Sequence, residues 1–261
     1  MNICETFRLL AAKTWRNIAI GRSVGHQLLE ETLTDINLLH LKFHHPEILT
    51  VNFNKIVEGS NGADWEWWFY DVSGNWIGLR VQAKILDFKK EQFNQLYYKK
   101  DRSTPAQCDL LIVNAMADPV NPCIPLYVLY LQSDHYPDPA DHLGVKDMFS
   151  FGCSVVSAYA IRDLKSTKNK SLKDWQAELK PWETLVCEKE SRPFMNVEDM
   201  LEAIKERFGV EETVKRPGFL QQRPPRYISQ ILNSEGNLSN LETTPPDLAG
   251  VVIVKIDQDA Q

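Results

Sequence analysis

The sequence predicts a mixed α/β fold, a β-sheet with helices packed on it. Three observations carry that expectation. Apolar residues recur at helical spacing over Ile3–Ile20 and Gln27–Phe43. Two strand-like segments, 63–72 and 76–86, flank Ser73-Gly74-Asn75, a composition suited to a turn. A third helical segment, Thr104–Ala117, leads into IPLYVLYL at Ile124–Leu131, whose unbroken apolar character suits a buried strand.

Each element has its own justification. The second helix presents Leu28, Leu29, Ile36, Leu39 and Phe43 and is ended by Pro46. Ile48–Val57 partly alternates through Val51, Phe53 and Val57 and reads as a strand. Thr104 suits an N-cap, with Pro105 at the first helical position. The order helix, three strands, helix, strand reads as a meander followed by a helical crossover, which implies a mixed sheet with helices packed on it. Further on, Asp134–Asp141 is a proline-containing loop, and Phe149–Leu164 is either helix or strand. Ser171–Leu185 and Val197–Phe208 read as helices, Asn233–Pro246 as loop or linker, and Gly250–Ile256 as a late strand. No internal repeat or domain boundary interrupts the chain, so residues 1–261 are expected to form a single domain.

Composition narrows the class. At 261 residues, 43% hydrophobic and 25% charged, the chain can bury a core without disulfide staples. Its five cysteines are scattered and never form C-x-x-C, which argues for a reducing, cytoplasmic setting and against a zinc site or disulfide framework. No apolar run approaches the roughly 18 residues of a membrane span, so no membrane association is expected. The net charge of −6 lowers the expectation of nonspecific nucleic-acid coating. Basic charge is nevertheless local: Arg162–Lys173, Lys215–Arg226 and Lys89–Arg102 are basic runs. Each is most simply a solvated face, and together they are candidates for a phosphate-facing surface.

The chemistry concentrates in GADWEWWFYDVSGNWIGLRVQAKIL, Gly62–Leu86, which holds four of seven tryptophans, with Asp64 just before the first and Glu66 between the first two. Along Trp76–Ile85, the aliphatic Ile77, Leu79, Val81, Ala83 and Ile85 fall on one face. Arg80, Gln82 and Lys84 fall on the other. Opposed residues of an antiparallel pair share a face. An even loop would turn Asp64 into the core without a partner, a costly burial, so an odd loop is favoured. A three-residue loop sets Asp64 opposite Lys84 and Glu66 opposite Gln82. The bland reading is a cross-strand ion pair on a wet face, contributing about 0–1 kcal/mol. The neighbouring Trp65, Trp67, Trp68 and Trp76 instead suggest the walls of a cleft around the acids and lysine.

Asp64 followed by Gln82-x-Lys84 on the next strand resembles the PD-(D/E)XK nuclease superfamily, in the QxK form of Mrr-like restriction endonucleases. The chain also looks like an uncharacterised bacterial family with the pattern EETLTD, GADWEWW, RVQAK. The resemblance implies a restriction-endonuclease-like core over about residues 22–132 and a mostly helical C-terminal elaboration over about 133–261. It implies Mg²⁺- or Mn²⁺-dependent hydrolysis of DNA, with RNA cleavage or a catalytically inactive binding module as alternatives, and a role in bacterial defence. Asp64, Gln82, Lys84 and Glu31 would carry the catalysis, Glu30 being an equal candidate by spacing. Metal would be held by Asp64, Glu31, Glu66 and the Ala83 carbonyl, the added acids offsetting the weaker ligand Gln82. Arg80, Lys165, Lys168 and Lys170 would contact nucleic acid. The acidic net charge implies that a partner protein or homodimer supplies further DNA affinity.

Other motifs are weaker. Three more [D/E/Q]-x-Lys triplets exist, ending at Lys89, Lys165 and Lys180, but none has both a strand and an opposed acid. His40 and His44 stand four apart on one helix without an identifiable third ligand and read as a solvent-facing helix end. There is no G-x-S-x-G, P-loop or G-x-G-x-x-G.

Overall fold

The structure, a computed structural model, describes residues 1–53, 64–99, 103–134, 148–165, 171–189, 191–210, 218–234 and 248–256. Helix α1 (Ile3–Ser23) opens with a capping box, in which the Asn2 side chain accepts from Glu5 N and the Glu5 carboxylate accepts from Asn2 N. Helix α2 (Glu30–His44) follows, with Glu30 and Glu31 in its first turn, where the helix dipole favours negative charge. Strands β1 (Leu49–Asn52), β2 (Trp65–Asp71) and β3 (Trp76–Ile85) come next, then helix α3 (Gln107–Ala115) and strand β4 (Cys123–Tyr130). Strand β5 (Cys153–Ser157) runs directly into helix α4 (Ala158–Leu164), so both readings of 149–164 hold in part.

Short α5 (Leu172–Trp175), β6 (Lys180–Pro181) and the hairpin β7 (Cys187–Lys189) and β8 (Arg192–Pro193) precede α6 (Val197–Phe208). The helix expected over 171–185 therefore lasts only one turn, Leu172–Trp175, and Pro181, with no N–H to donate, bars a helix from running on through that position. Helix α3 starts two residues later than expected, with Ala106 at its N-cap position and no side-chain cap. Helix α7 (Arg226–Asn233) was not anticipated, and β9 (Gly250–Ile256) matches the expected late strand.

The main sheet has seven strands in the order β1-β9-β2-β3-β4-β5-β6. Strands β2 and β3 form the anticipated antiparallel hairpin, and β3 and β4 are parallel neighbours across the α3 crossover. The anticipated three-strand meander does not form. Strand β9 lies between β1 and β2, antiparallel to the first and parallel to the second. The C-terminal half is thus not only a helical elaboration, because it completes the sheet from inside as well as at one edge. Of the loops expected at 134–141 and 233–246, residues 135–141 and 235–246 lie outside the described residues, as does the end of the first expected strand, 54–57.

Strand alternation distributes the core to two faces. Trp65, Trp67, Phe69, Ile77, Leu79 and Val81 pack with residues of α1, α2 and α6, among them Phe7, Leu33 and Ile204. Trp68, Trp76, Tyr127 and Leu129 pack on the opposite face with Leu111 of α3, Ile161 of α4 and Ile228 of α7. Helices therefore cover both faces of a mixed sheet. This corrects the picture of tryptophans as cleft walls for three of the four: Trp67 packs against Phe7 and Trp182, Trp68 is fully buried, and Trp76 stacks on Tyr70. The cysteine expectation is also corrected for one pair. Cys4 of α1 and Cys187 of β7 form a disulfide across 183 residues, a proximity that only the tertiary fold creates.

Gly250 begins β9 where its backbone passes under the Trp65 ring, and a Cβ there would overlap the ring. Gly250→Ala is expected to destabilise the fold by about 1–3 kcal/mol through overpacking. Urea denaturation checks this, and an unchanged midpoint would mean that Trp65 yields freely.

Candidate functional site

The hairpin register decides which side chains meet. Trp65 pairs with Val81, Glu66 with Arg80 and Tyr70 with Trp76, and Asp71 N donates to Asn75 O, leaving a three-residue loop at 72–74. The loop is odd, as burial required, and as long as the composition suggested, but it sits one residue earlier than Ser73-Gly74-Asn75. Asp71 holds it there: its Oδ1 accepts from Ser73 N and Asn75 N, and Gly74 takes the positive φ that such a loop needs. Asp64 consequently faces Gln82, not Lys84, and Glu66 faces Arg80, not Gln82. The shift by two preserves the shared face and changes the partners.

Asp64 sits at the N-terminal end of β2 and is held on several sides. Its N–H donates to Val81 O at 2.8 Å, and its carbonyl accepts from Ala249 N at 3.0 Å. Its Oδ2 accepts from Gln82 Nε2 at 2.6 Å and from Ala83 N at 2.9 Å. Gln82 also donates to the Ala83 carbonyl at 3.2 Å, while its Oε1 accepts from Gln107 Nε2 at 2.9 Å. Lys84, almost wholly buried, extends its ammonium to Glu30 Oε1 at 3.1 Å.

Two adjoining cavities surround this cluster. One of about 160 Å³ is lined by Glu30, Glu31, Asp64, Trp65 and Ala83, with Thr34, Asp35 and Ala249 among its other walls. The second, about 290 Å³, is lined by Glu30, Glu31, Lys84 and Asp87 together with Asn94 and Gln95. Glu30 and Glu31 at the start of α2 belong to both. Burial pushes the Glu30 carboxyl above the usual range; the Lys84 ammonium opposes that rise, and neighbouring Asp64 and Glu31 reinforce it.

Of the expected residues, the structure gathers Asp64, Gln82, Ala83, Lys84 and Glu31 around these cavities, together with Glu30, the equal candidate by spacing. It does not bring Glu66 there. Glu66 Oε1 accepts from Arg80 Nη1 at 3.2 Å, and its Oε2 accepts from Trp68 Nε1 at 2.9 Å and from the Tyr227 hydroxyl. Those donors occupy Glu66 within the core between the hairpin and α7. Arg80, expected at a nucleic-acid surface, is 6% exposed and ion-paired with Glu66, so it serves the interior. Lys165 pairs with Asp109 of α3, and Lys168 and Lys170 lie outside the described residues. The rings of His40 and His44 stack at 6.4 Å. Among the described residues, no three His, Cys, Asp or Glu side chains are grouped so as to hold a metal. Sequence reasoning missed Gln107, because nothing in the spacing from residue 82 to a helix start links the two amides.

This arrangement defines a mixed α/β protein with a carboxylate, an amide and a lysine gathered at one end of a central hairpin. A family of unknown function (DUF6615) matches residues 3–260, and the chain belongs to it. No curated protein and no solved structure matches the chain. No helix among the described residues is long and apolar enough to cross a membrane.

The raised Glu30 carboxyl has a pH consequence with a definite sign. Because its folded value lies above its unfolded value, the native state binds the proton more tightly. That stability is present below the ordinary glutamate value and is lost as pH rises through the raised one. Glu30→Gln is therefore expected to flatten the decline in stability above about pH 4.3. Denaturation midpoints across a pH series measure it; an identical slope in both proteins would refute the assignment.

Proposed function

We propose that this chain is a metal-dependent nuclease of the PD-(D/E)XK type that hydrolyses DNA phosphodiester bonds. The observation that carries the reading is the meeting of Asp64, Gln82 and the Ala83 backbone beside the Lys84–Glu30 pair. The order of α2, the β2–β3 hairpin, the α3 crossover and parallel β4 supports a restriction-endonuclease-like core, within which β9 takes the place beside β2.

Asp64, Glu31 and the Ala83 carbonyl line one cavity and offer a hard divalent cation only oxygen. The mutual repulsion that reinforces the rise of Glu30 is the kind of imbalance a cation relieves. Mg²⁺ retains several waters and needs only one or two carboxylates, so Asp64 and the Ala83 carbonyl with one acid of α2 form an adequate set. Bound there, the cation would acidify water and polarise a phosphate.

The chain's own residues supply the remainder. Lys84 stabilises negative charge on the phosphoryl oxygens as the water–phosphorus bond forms and the bond to the departing sugar oxygen breaks. Glu30, proton-seeking through its raised carboxyl and within reach of Lys84, accepts a proton from the attacking water. Gln82 orients the Asp64 carboxylate.

One observation favours a second reading. Gln82 presents its NH₂ group, not its oxygen, to Asp64, and Lys84 is neutralised by Glu30, an arrangement also suited to a silent nucleic-acid-binding module of the same fold.

Purified protein incubated with plasmid DNA, and separately with RNA, in Mg²⁺ or Mn²⁺ and then EDTA distinguishes the readings. DNA cleavage that EDTA abolishes is expected, and Asp64→Ala and Lys84→Ala should each lower it by about 10²–10³-fold. Cleavage surviving both substitutions would remove the site assignment. Binding without cleavage in any metal would favour the silent module.

A further inference from the structure

The Gln82 amide lies between two unlike neighbours. On one side are the Asp64 carboxylate and the Ala83 carbonyl, both acceptors, which Gln82 Nε2 reaches at 2.6 and 3.2 Å. On the other is Gln107, the first residue of α3, whose Nε2 donates to Gln82 Oε1 at 2.9 Å. A primary amide is nearly symmetric in shape, and rotating it by half a turn exchanges a donor for an acceptor. Gln82 is 2% exposed, so it cannot turn without a partner that can follow it.

Gln107 is such a partner, because its own amide can exchange donor for acceptor when Gln82 turns. A hydroxyl, lysine or carboxylate at 107 would either lack the reach or favour a single orientation. The pair Gln82–Gln107 therefore has two hydrogen-bonded arrangements. In the one observed, Gln82 donates to Asp64 and satisfies the acceptors around it. In the other, the Gln82 oxygen would join Asp64 Oδ2 and the Ala83 carbonyl, and three oxygens would face the position where a cation belongs.

We propose that Gln107 is a positioning residue that sets which atom Gln82 presents to the site, coupling amide orientation to divalent-cation binding. This rests on the metal-dependent reading given above. Gln107 itself touches neither cation nor substrate, and it acts only through Gln82.

The test uses the full chain and does not depend on cleavage. In protein labelled with ¹⁵N-glutamine, Mg²⁺ titration should shift the side-chain NH₂ resonances of Gln82 and Gln107 together, with one shared midpoint. Mn²⁺ affinity is measured in parallel by electron paramagnetic resonance. Gln107→Glu accepts but cannot donate, so it favours the turned Gln82 and should tighten Mn²⁺ binding by about tenfold. The added charge alone would also attract Mn²⁺, and a double-mutant cycle separates the two effects. In a Gln82→Met background, the gain from Gln107→Glu should fall to about threefold or less.

An equal gain in both backgrounds would overturn the inference, as would Mg²⁺ binding that leaves either amide resonance unmoved. Saturating Asp64-dependent Mn²⁺ binding that is insensitive to residue 107 sinks this inference alone. Failure of Mn²⁺ or Mg²⁺ to bind at all sinks the metal-dependent reading with it. The resonance measurement on the unsubstituted chain stands even if a variant folds poorly.

Discussion

Asp64 ties three strands together at one point. Its N–H is bonded to Val81 of β3, its carbonyl to Ala249 just before β9, and its carboxylate to the Ala83 N–H and the Gln82 amide. The two backbone bonds fix where β9 enters between β1 and β2, and the carboxylate bonds fix the local register of the hairpin. A residue that closes the open end of a sheet in this way is both architecture and site. The cavity beside it exists because the chain entering β2, the end of β3 and the start of β9 meet the first turn of α2 there. Hydrogen bonds to an ionised carboxylate are stronger than neutral ones, so this junction is held tightly without a large side chain.

Glu66 of the aromatic stretch and Glu30 of α2 meet different fates, and the difference is one of charge compensation. Glu66 is enclosed by Arg80, Trp68 and Tyr227, and those donors satisfy it within the core. Breaking that pair would leave a buried charge, so it binds α7 to the hairpin and does little else. Glu30 has one cationic neighbour, Lys84, and two acidic ones, and its carboxyl is raised by burial. Incomplete compensation, on a side chain that lines two cavities, is the property expected of a group that handles protons.

The face shared by Asp64, Glu66, Gln82 and Lys84 was legible because strand alternation is strict and an unpaired buried carboxylate is costly. The partners within that face were not legible. They depend on Asp71 bonding to Ser73 and Asn75, which sets the three-residue loop at 72–74, one residue earlier than 73–75. The helices α1, α2 and α6 and the strands β3, β4 and β9 carry enough apolar periodicity to be read directly. The insertion of β9 beside β2 carries no such signal, since parallel pairing across some 180 residues is set by the completed core and not by any neighbouring residue. The same limit hid the Cys4–Cys187 disulfide, the burial of Arg80 and the contact of Gln107 with Gln82.

Why an amide stands at position 82 follows from what surrounds it. Asp64 Oδ2 lies 2.6 Å from Gln82 Nε2, and Glu30 and Glu31 line the same cavity as Asp64. A carboxylate at 82 would set acceptor against acceptor at that distance and add a further negative charge to a group that already resists ionisation. Such a site is comfortable only when a cation is bound. Gln82 can instead donate to Asp64 when no cation is present, so the hairpin keeps its register with its polar atoms paired. The amide gives up ligand charge and gains a folded site that does not need metal to hold its shape. In the proposed nuclease reading, Asp64 and Lys84 would then carry the charge that the chemistry requires.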